Sequence, residues 1–192
     1  MAITPESLLT LEAYARCRAA ERPAIAAHRR LRSVQLTEHL LVQFEDERTV
    51  RHQIQEMLRI EKIFEPEGIQ QEIDAYQSLV PTGRNWTATM LLTYPDATQR
   101  REALRQLIGV EDRMYVQVGA TPRVYAIADE DLDRETAEKT SAVHFLRFEL
   151  SDAQCAAARQ GAELRVGCDH AHLVAELRLT AGTAASLVAD LG

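Results

Sequence analysis

Three cysteines in 192 residues, Cys17, Cys155 and Cys168, are too few and too scattered for a disulfide framework. Their odd number and the lack of any CxxC spacing argue equally against a four-cysteine zinc site, and a reducing cytoplasmic compartment suits them. Long apolar runs are also missing. The longest, 40–42 and 90–92, fall far short of the ~20 residues that cross a bilayer, so no membrane span is expected. Pro5, Glu6 and Ser7 stand where a secretion signal would carry a basic and then an apolar stretch, and export is not expected. Glycine is scarce, and no GxxxxGK[ST], GxGxxG or GxSxG spacing occurs, which disfavours nucleotide binding and serine hydrolysis. The formal charge of −7 lacks the basic excess that phosphate neutralisation needs, so nucleic acid is not an expected partner.

What the chain does have is ordinary globular composition, 46% hydrophobic and 27% charged, at a length that suits one domain over 1–192 with a helical N-terminal segment of about 1–32. One local departure stands out. Arg16, Arg18, Arg22, Arg29, Arg30 and Arg32 face the single carboxylate Glu21, so this segment could dock an anion or an acidic partner, or pair with carboxylates elsewhere in the fold.

The periodicity predicts an α+β fold, a predominantly antiparallel sheet with helices interspersed. Thr4 and Pro5 read as the cap and first position of a helix that Pro23 interrupts or restarts, leaving a short piece over 24–30. A long strand or hairpin follows at 34–44, a helix at 47–62, and a helix from Pro66 to the Pro81 and Gly83 stop. Strict alternation marks 85–94 as a strand, Asp96 caps a helix ending at Gly109, and strands follow at 114–118 and 123–127. The acidic stretch 129–139 reads as a loop or short exposed helix. A strand at 142–150, a capping box of Ser151 and Gln154, a hairpin over 163–179 and a last helix capped by Thr180 complete the pattern.

Several residues could carry chemistry. Cys168, His170 and His172 alternate on an extended segment and could present three ligands to zinc or iron, although a turn there would splay them. His144 falls on the apolar parity of its strand, as a core histidine or a catalytic base. Glu61 falls on the buried stripe of the 47–62 helix, where a carboxylate needs a partner unless the helix ends before it. His52, Gln55, Glu56 and Arg59 share the polar face of that helix, as a docking surface or a hydrated face with a Glu56–Arg59 pair.

As a set, Phe44-Glu45, Gln53-Ile54-Gln55-Glu56-Met57 with Arg59 and Glu61, Tyr76, Leu79 and Pro81, Ala88-Thr89, the run 143–148 and Asp169-His170 resemble a bacterial domain-of-unknown-function family, family thirty-five-oh-one. The resemblance covers nearly the whole chain. It implies small cytoplasmic proteins often encoded beside rubrerythrin-like di-iron proteins and iron–sulfur oxidoreductases, and it favours Glu45, Glu56, Arg59, Glu61, His144 and Arg147 as site residues. Cys168 and His172 lie outside its pattern. The function it implies is an accessory or binding protein of a di-iron or iron–sulfur redox or oxidative-stress system, docking a redox partner through the 47–62 helix and the basic segment. The alternative is a metal-dependent enzyme in which His144 and His170, with Glu45, Glu56 or Glu61, bind iron or zinc. A third reading is a structural homo-oligomer that buries the Trp86 strand or the Leu8 helix between subunits.

Overall fold

Alternating side chains leave each strand with one apolar face to bury, and here two antiparallel sheets bury theirs against each other. The computed structural model describes residues 3–128 and 139–192. The first sheet joins β1 (Ser33–Gln35), β2 (Leu40–Phe44), β3 (Asn85–Leu92), β7 (Val143–Glu149) and β6 (Ile127–Ala128), in the order β1-β2-β3-β7-β6. The second joins β5 (Val124–Tyr125), β4 (Met114–Val118), β8 (Leu164–His170) and β9 (Leu173–Arg178), in the order β5-β4-β8-β9. The α+β class is as expected, with two sheets rather than one.

Register decides which residues meet. Phe44 pairs with Ala88 and Ala88 with Leu146, so these even-numbered side chains form one layer of the main core. Met114, Val116, Val118, Leu164, Val166 and Cys168 form the facing layer. Phe44, Phe148 and Trp86 are essentially inaccessible, and each such burial stabilises the fold by roughly 2–3 kcal/mol. Trp86 also donates its indole N–H to the Leu187 carbonyl at 2.8 Å, tying the sheet to α6 (Ala181–Val188). The apolar face of the Trp86 strand is therefore buried within the chain, not held open for a second subunit.

A second, smaller core forms on the opposite face of the first sheet. Here α2 (Glu47–Glu61) and α3 (Pro66–Gln77) pack Val50, Ile54, Leu58 and Ile73 together, with Phe145 of β7 beneath them. Asp46 caps α2 reciprocally with Thr49, and Lys62 ends it in the left-handed conformation, φ 57°. The Ser151–Gln154 capping box opens α5 (Asp152–Arg159) as predicted.

Two local expectations change. Thr4 and Pro5 begin only a single 3-10 turn, and the long helix α1 (Leu11–Leu31) starts at its own cap, Thr10. Pro23 does not break α1. The proline and the residues before it are exposed, so its ring and the carbonyl it leaves without a donor face water. The acidic stretch 129–139, Lys139 apart, lies outside the described residues.

Candidate functional site

The odd-numbered residues of β2, β3 and β7 point away from the main core. In an ordinary two-layer fold that face is hydrated, but here it carries Leu41, Leu91, Val143 and Phe145 among Gln43, Glu45 and Thr89. Helices α2 and α3 roof the face only in part. Val50 and Gln53 of α2, Tyr76 of α3 and Leu79 beyond it close around a cleft of about 480 Å³. Arg29, on the last turn of α1, completes one wall. The size and the mix of apolar walls with a few polar groups are those of a small-molecule site.

Glu45 lies at the junction of β2 and α2 and is only 7% exposed. Its backbone N–H donates to the Thr87 carbonyl, which fixes the chain as it leaves the sheet. Each carboxylate oxygen receives one hydroxyl, Oε2 from Thr49 at 2.5 Å and Oε1 from Thr89 at 2.8 Å. Arg29 reaches the Thr49 carbonyl with Nη2 at 3.5 Å, while its Nε is buried without a hydrogen-bond partner. Gln43 is fully engaged, accepting from Ser33 at 2.6 Å and donating to the carbonyls of Arg29 and Phe44, both at 3.3 Å. Behind Arg29, burial and then the guanidinium charge push the His52 imidazole below its ordinary pKa.

Beneath Glu45 runs a structural ion cluster. Arg32, 1% exposed, donates to the carbonyls of Phe44, Glu45 and Ser186 and to Asp190 at 2.5 Å, and stands 3.5 Å from Asp46. One guanidinium thus joins α1, β2, the start of α2 and the α6 end of the chain. Two of the six arginines of the basic segment are spent this way, Arg32 here and Arg18 on Glu56, while Arg16, Arg22 and Arg30 remain exposed.

The candidate residues named from the sequence scatter over three places. Glu45 lines the cleft. Glu56 lies on the α1 side of α2, where it accepts from Tyr14 at 2.6 Å, from Arg18 at 2.6 and 3.0 Å and from Arg59 at 3.0 Å. The Arg18 hydrogen bond leads in holding its pKa down to about 2, and burial followed by the Glu56 hydrogen bond pushes the Tyr14 phenol up. Glu61, expected on the buried stripe, is exposed, because the buried face of α2 stops at Leu58. Arg147 pairs with Glu149 on the sheet beside Asn85.

His144 is fully buried on the core face, opposite Met90. Its Nε2 lies 2.8 Å from the Thr140 hydroxyl, 3.1 Å from the Ser141 carbonyl and 3.8 Å from the buried Glu111. That environment satisfies the ring inside the core, and β7 separates it from the cleft.

The expectation of iron or zinc is overturned by side-chain placement. Among the described residues, no group of three or more histidine, cysteine, aspartate or glutamate side chains is arranged to hold a metal ion. Cys168 faces the main core, and burial pushes its thiol up to about 11, away from the thiolate a metal needs. His170 turns to the Ile108 carbonyl at 3.1 Å, and His172 sits exposed in the β8–β9 turn. His144 belongs to the other sheet. Asp169 is held by Tyr125 at 2.6 Å and Arg123 at 3.0 Å on the outer face of the second sheet. No helix among the described residues is long and apolar enough to cross a membrane.

Sequence reasoning missed Arg29, Gln43 and Thr89 as members of one site. A signal was there: Leu41, Leu91, Val143 and Phe145 are apolar on the parity that should face water, which marks a covered second face.

Fold and cleft together define a two-sheet α+β domain with a partly roofed cavity on the outer face of its larger sheet. The chain belongs to the family described as Protein of unknown function (DUF3501), which matches residues 2–191. The crystal structure of a protein of unknown function from Burkholderia pseudomallei K96243 is similar throughout, with 54% identity, 100% of both chains covered and a TM-score of 0.96. No curated protein matches the sequence.

Proposed function

We propose that this protein is a binding protein for a small organic molecule, held in the cleft between the outer face of β2–β3–β7 and the helices α2 and α3. The observation that supports this most is the lining: a partly covered apolar surface of Phe145, Leu91, Val143 and Leu79, interrupted by polar groups that the fold leaves available. Gln53 and Tyr76 make no side-chain hydrogen bond in the described chain, and Arg29 Nε lacks one although it is buried. Residues on which the family resemblance rests, Glu45, Gln53, Tyr76, Leu79, Thr89, Val143 and Phe145, line this same cleft. The test is a thermal-shift screen of a small-molecule library against the wild type and Val143→Trp, whose indole would fill the cleft. Ligands that raise the melting temperature of the wild type and not of the folded variant support the reading. Ligands that stabilise both equally, or no ligands at all, contradict it.

A second reading concerns a protein partner. The redox-accessory role implied by the resemblance needs a docking face, and the far end of α2 offers one: Ile60 is 59% and Phe64 69% exposed, beside Leu9. In this reading the protein meets a di-iron or iron–sulfur protein through that apolar end. Affinity capture should then recover an iron-containing protein with the wild type and lose it with Ile60→Asp/Phe64→Asp. An eluate free of iron in both would count against the role.

A further inference from the structure

Arg29 is the one arginine in the buried half of the described chain whose charge goes unanswered. The other buried or half-buried arginines, Arg18, Arg32, Arg51, Arg59, Arg147 and Arg165, each face a carboxylate. The Arg29 guanidinium forms no ion pair within 4.0 Å, its Nε has no acceptor, and the only hydrogen bond the side chain makes is the long one to the Thr49 carbonyl. Glu45 shows the opposite deficit: a carboxylate in the same wall, 7% exposed, with two hydroxyl donors and no cation. Half-buried and buried charges that remain unpaired are costly, and the simplest remedy, a contact between the two, is not made. Both groups touch Thr49, Arg29 at its carbonyl and Glu45 at its hydroxyl, so an anion-seeking and a cation-seeking group stand side by side at one end of the cleft. Beyond them the lining becomes apolar and aromatic, with Leu41, Leu91, Phe145 and Tyr76.

Resting on the small-molecule reading above, we infer that the ligand is a zwitterion with an apolar body, of the class of apolar α-amino acids and their close relatives. Its carboxylate pairs with the Arg29 guanidinium in a charge-assisted contact that supplies the missing acceptor. Its ammonium donates to the remaining lone pairs of Glu45, with Thr89 alongside. Its side chain lies against Phe145 and Leu91, where area burial adds affinity without direction. A ligand with only one of the charges would leave the other protein group as it is, so both must be present for full affinity.

Isothermal titration with phenylalanine, phenethylamine and 3-phenylpropionate tests this, because the three share a body and differ only in charge. Phenylalanine should bind at least tenfold more tightly than either analogue. Arg29→Met should erase its advantage over the amine, and Glu45→Gln its advantage over the acid, with both variants retaining the wild-type circular dichroism spectrum. An amine or acid that binds as tightly as phenylalanine overturns the inference. If none of the three binds while other library compounds occupy the cleft, the ligand class is wrong and the binding reading survives. If nothing in the library is lost from Val143→Trp, the binding reading itself has failed.

Discussion

At the scale of single residues, the fold depends on a few buried charges whose partners are identifiable. Arg32 makes hydrogen bonds to three carbonyls and to Asp190 while almost wholly removed from water. Arg32→Ala would strand Asp190 and those carbonyls, and chemical denaturation should show a loss of about 3–5 kcal/mol. Glu56 makes part of the stability pH-dependent. Its pKa is held down to about 2 in the folded protein, led by the Arg18 hydrogen bond, from an ordinary value of 4.5. A depressed carboxylate contributes stability that is fully present above its unfolded pKa and is lost as pH falls through the folded one. The wild type should therefore lose stability between about pH 4.5 and 2, and Glu56→Gln should flatten that part of a urea-midpoint profile. An unchanged acid limb would remove the Arg18–Glu56–Tyr14 cluster from the account.

Elements were the most readable scale, and the reasons differ from one to the next. The Ser151–Gln154 capping box announces itself, because it satisfies local donors whatever the tertiary context, whereas the reciprocal Asp46–Thr49 cap emerges only in the structure. Strands β3 and β7 were visible because period-two alternation survives burial on one face. Two features were not visible, since tertiary surroundings decide them. Pro23 reads as a helix breaker, yet α1 runs through it because the affected turn is hydrated. Pro23→Ala should raise stability by up to about 3 kcal/mol without altering helix content. Glu61 reads as buried because a helical wheel has no information on where the packed stripe stops, which here is Leu58. Gly167 gives a further element-scale test. A Cβ there would collide with the Tyr115 ring, which lies across β8 to reach Glu176 at 2.8 Å. Gly167→Ala should displace the ring and cost about 1–3 kcal/mol, seen as a lower melting temperature and a shifted tyrosine signal.

On the scale of the whole molecule, the architecture follows from a sheet with two apolar faces. The even face of β2–β3–β7 closes the main core with the second sheet, and the odd face is left for α2 and α3, which cover it in part. The cleft is what remains uncovered. Its members come from α1, β2, β3, α2, α3 and β7, so no local motif could announce it, whereas the apolar residues of wrong parity pointed to a second covered face. The metal expectation failed for the related reason that alternation in sequence does not survive a turn: Cys168 goes to the core and His172 to solvent.

The most direct measurement is a crystallographic fragment soak of the wild-type protein. Fragment density is expected between Phe145 and Tyr76, with polar atoms within hydrogen-bonding distance of Arg29 or Gln53. Fragments that gather on other surfaces across the whole set, while the cleft holds only water, would contradict it.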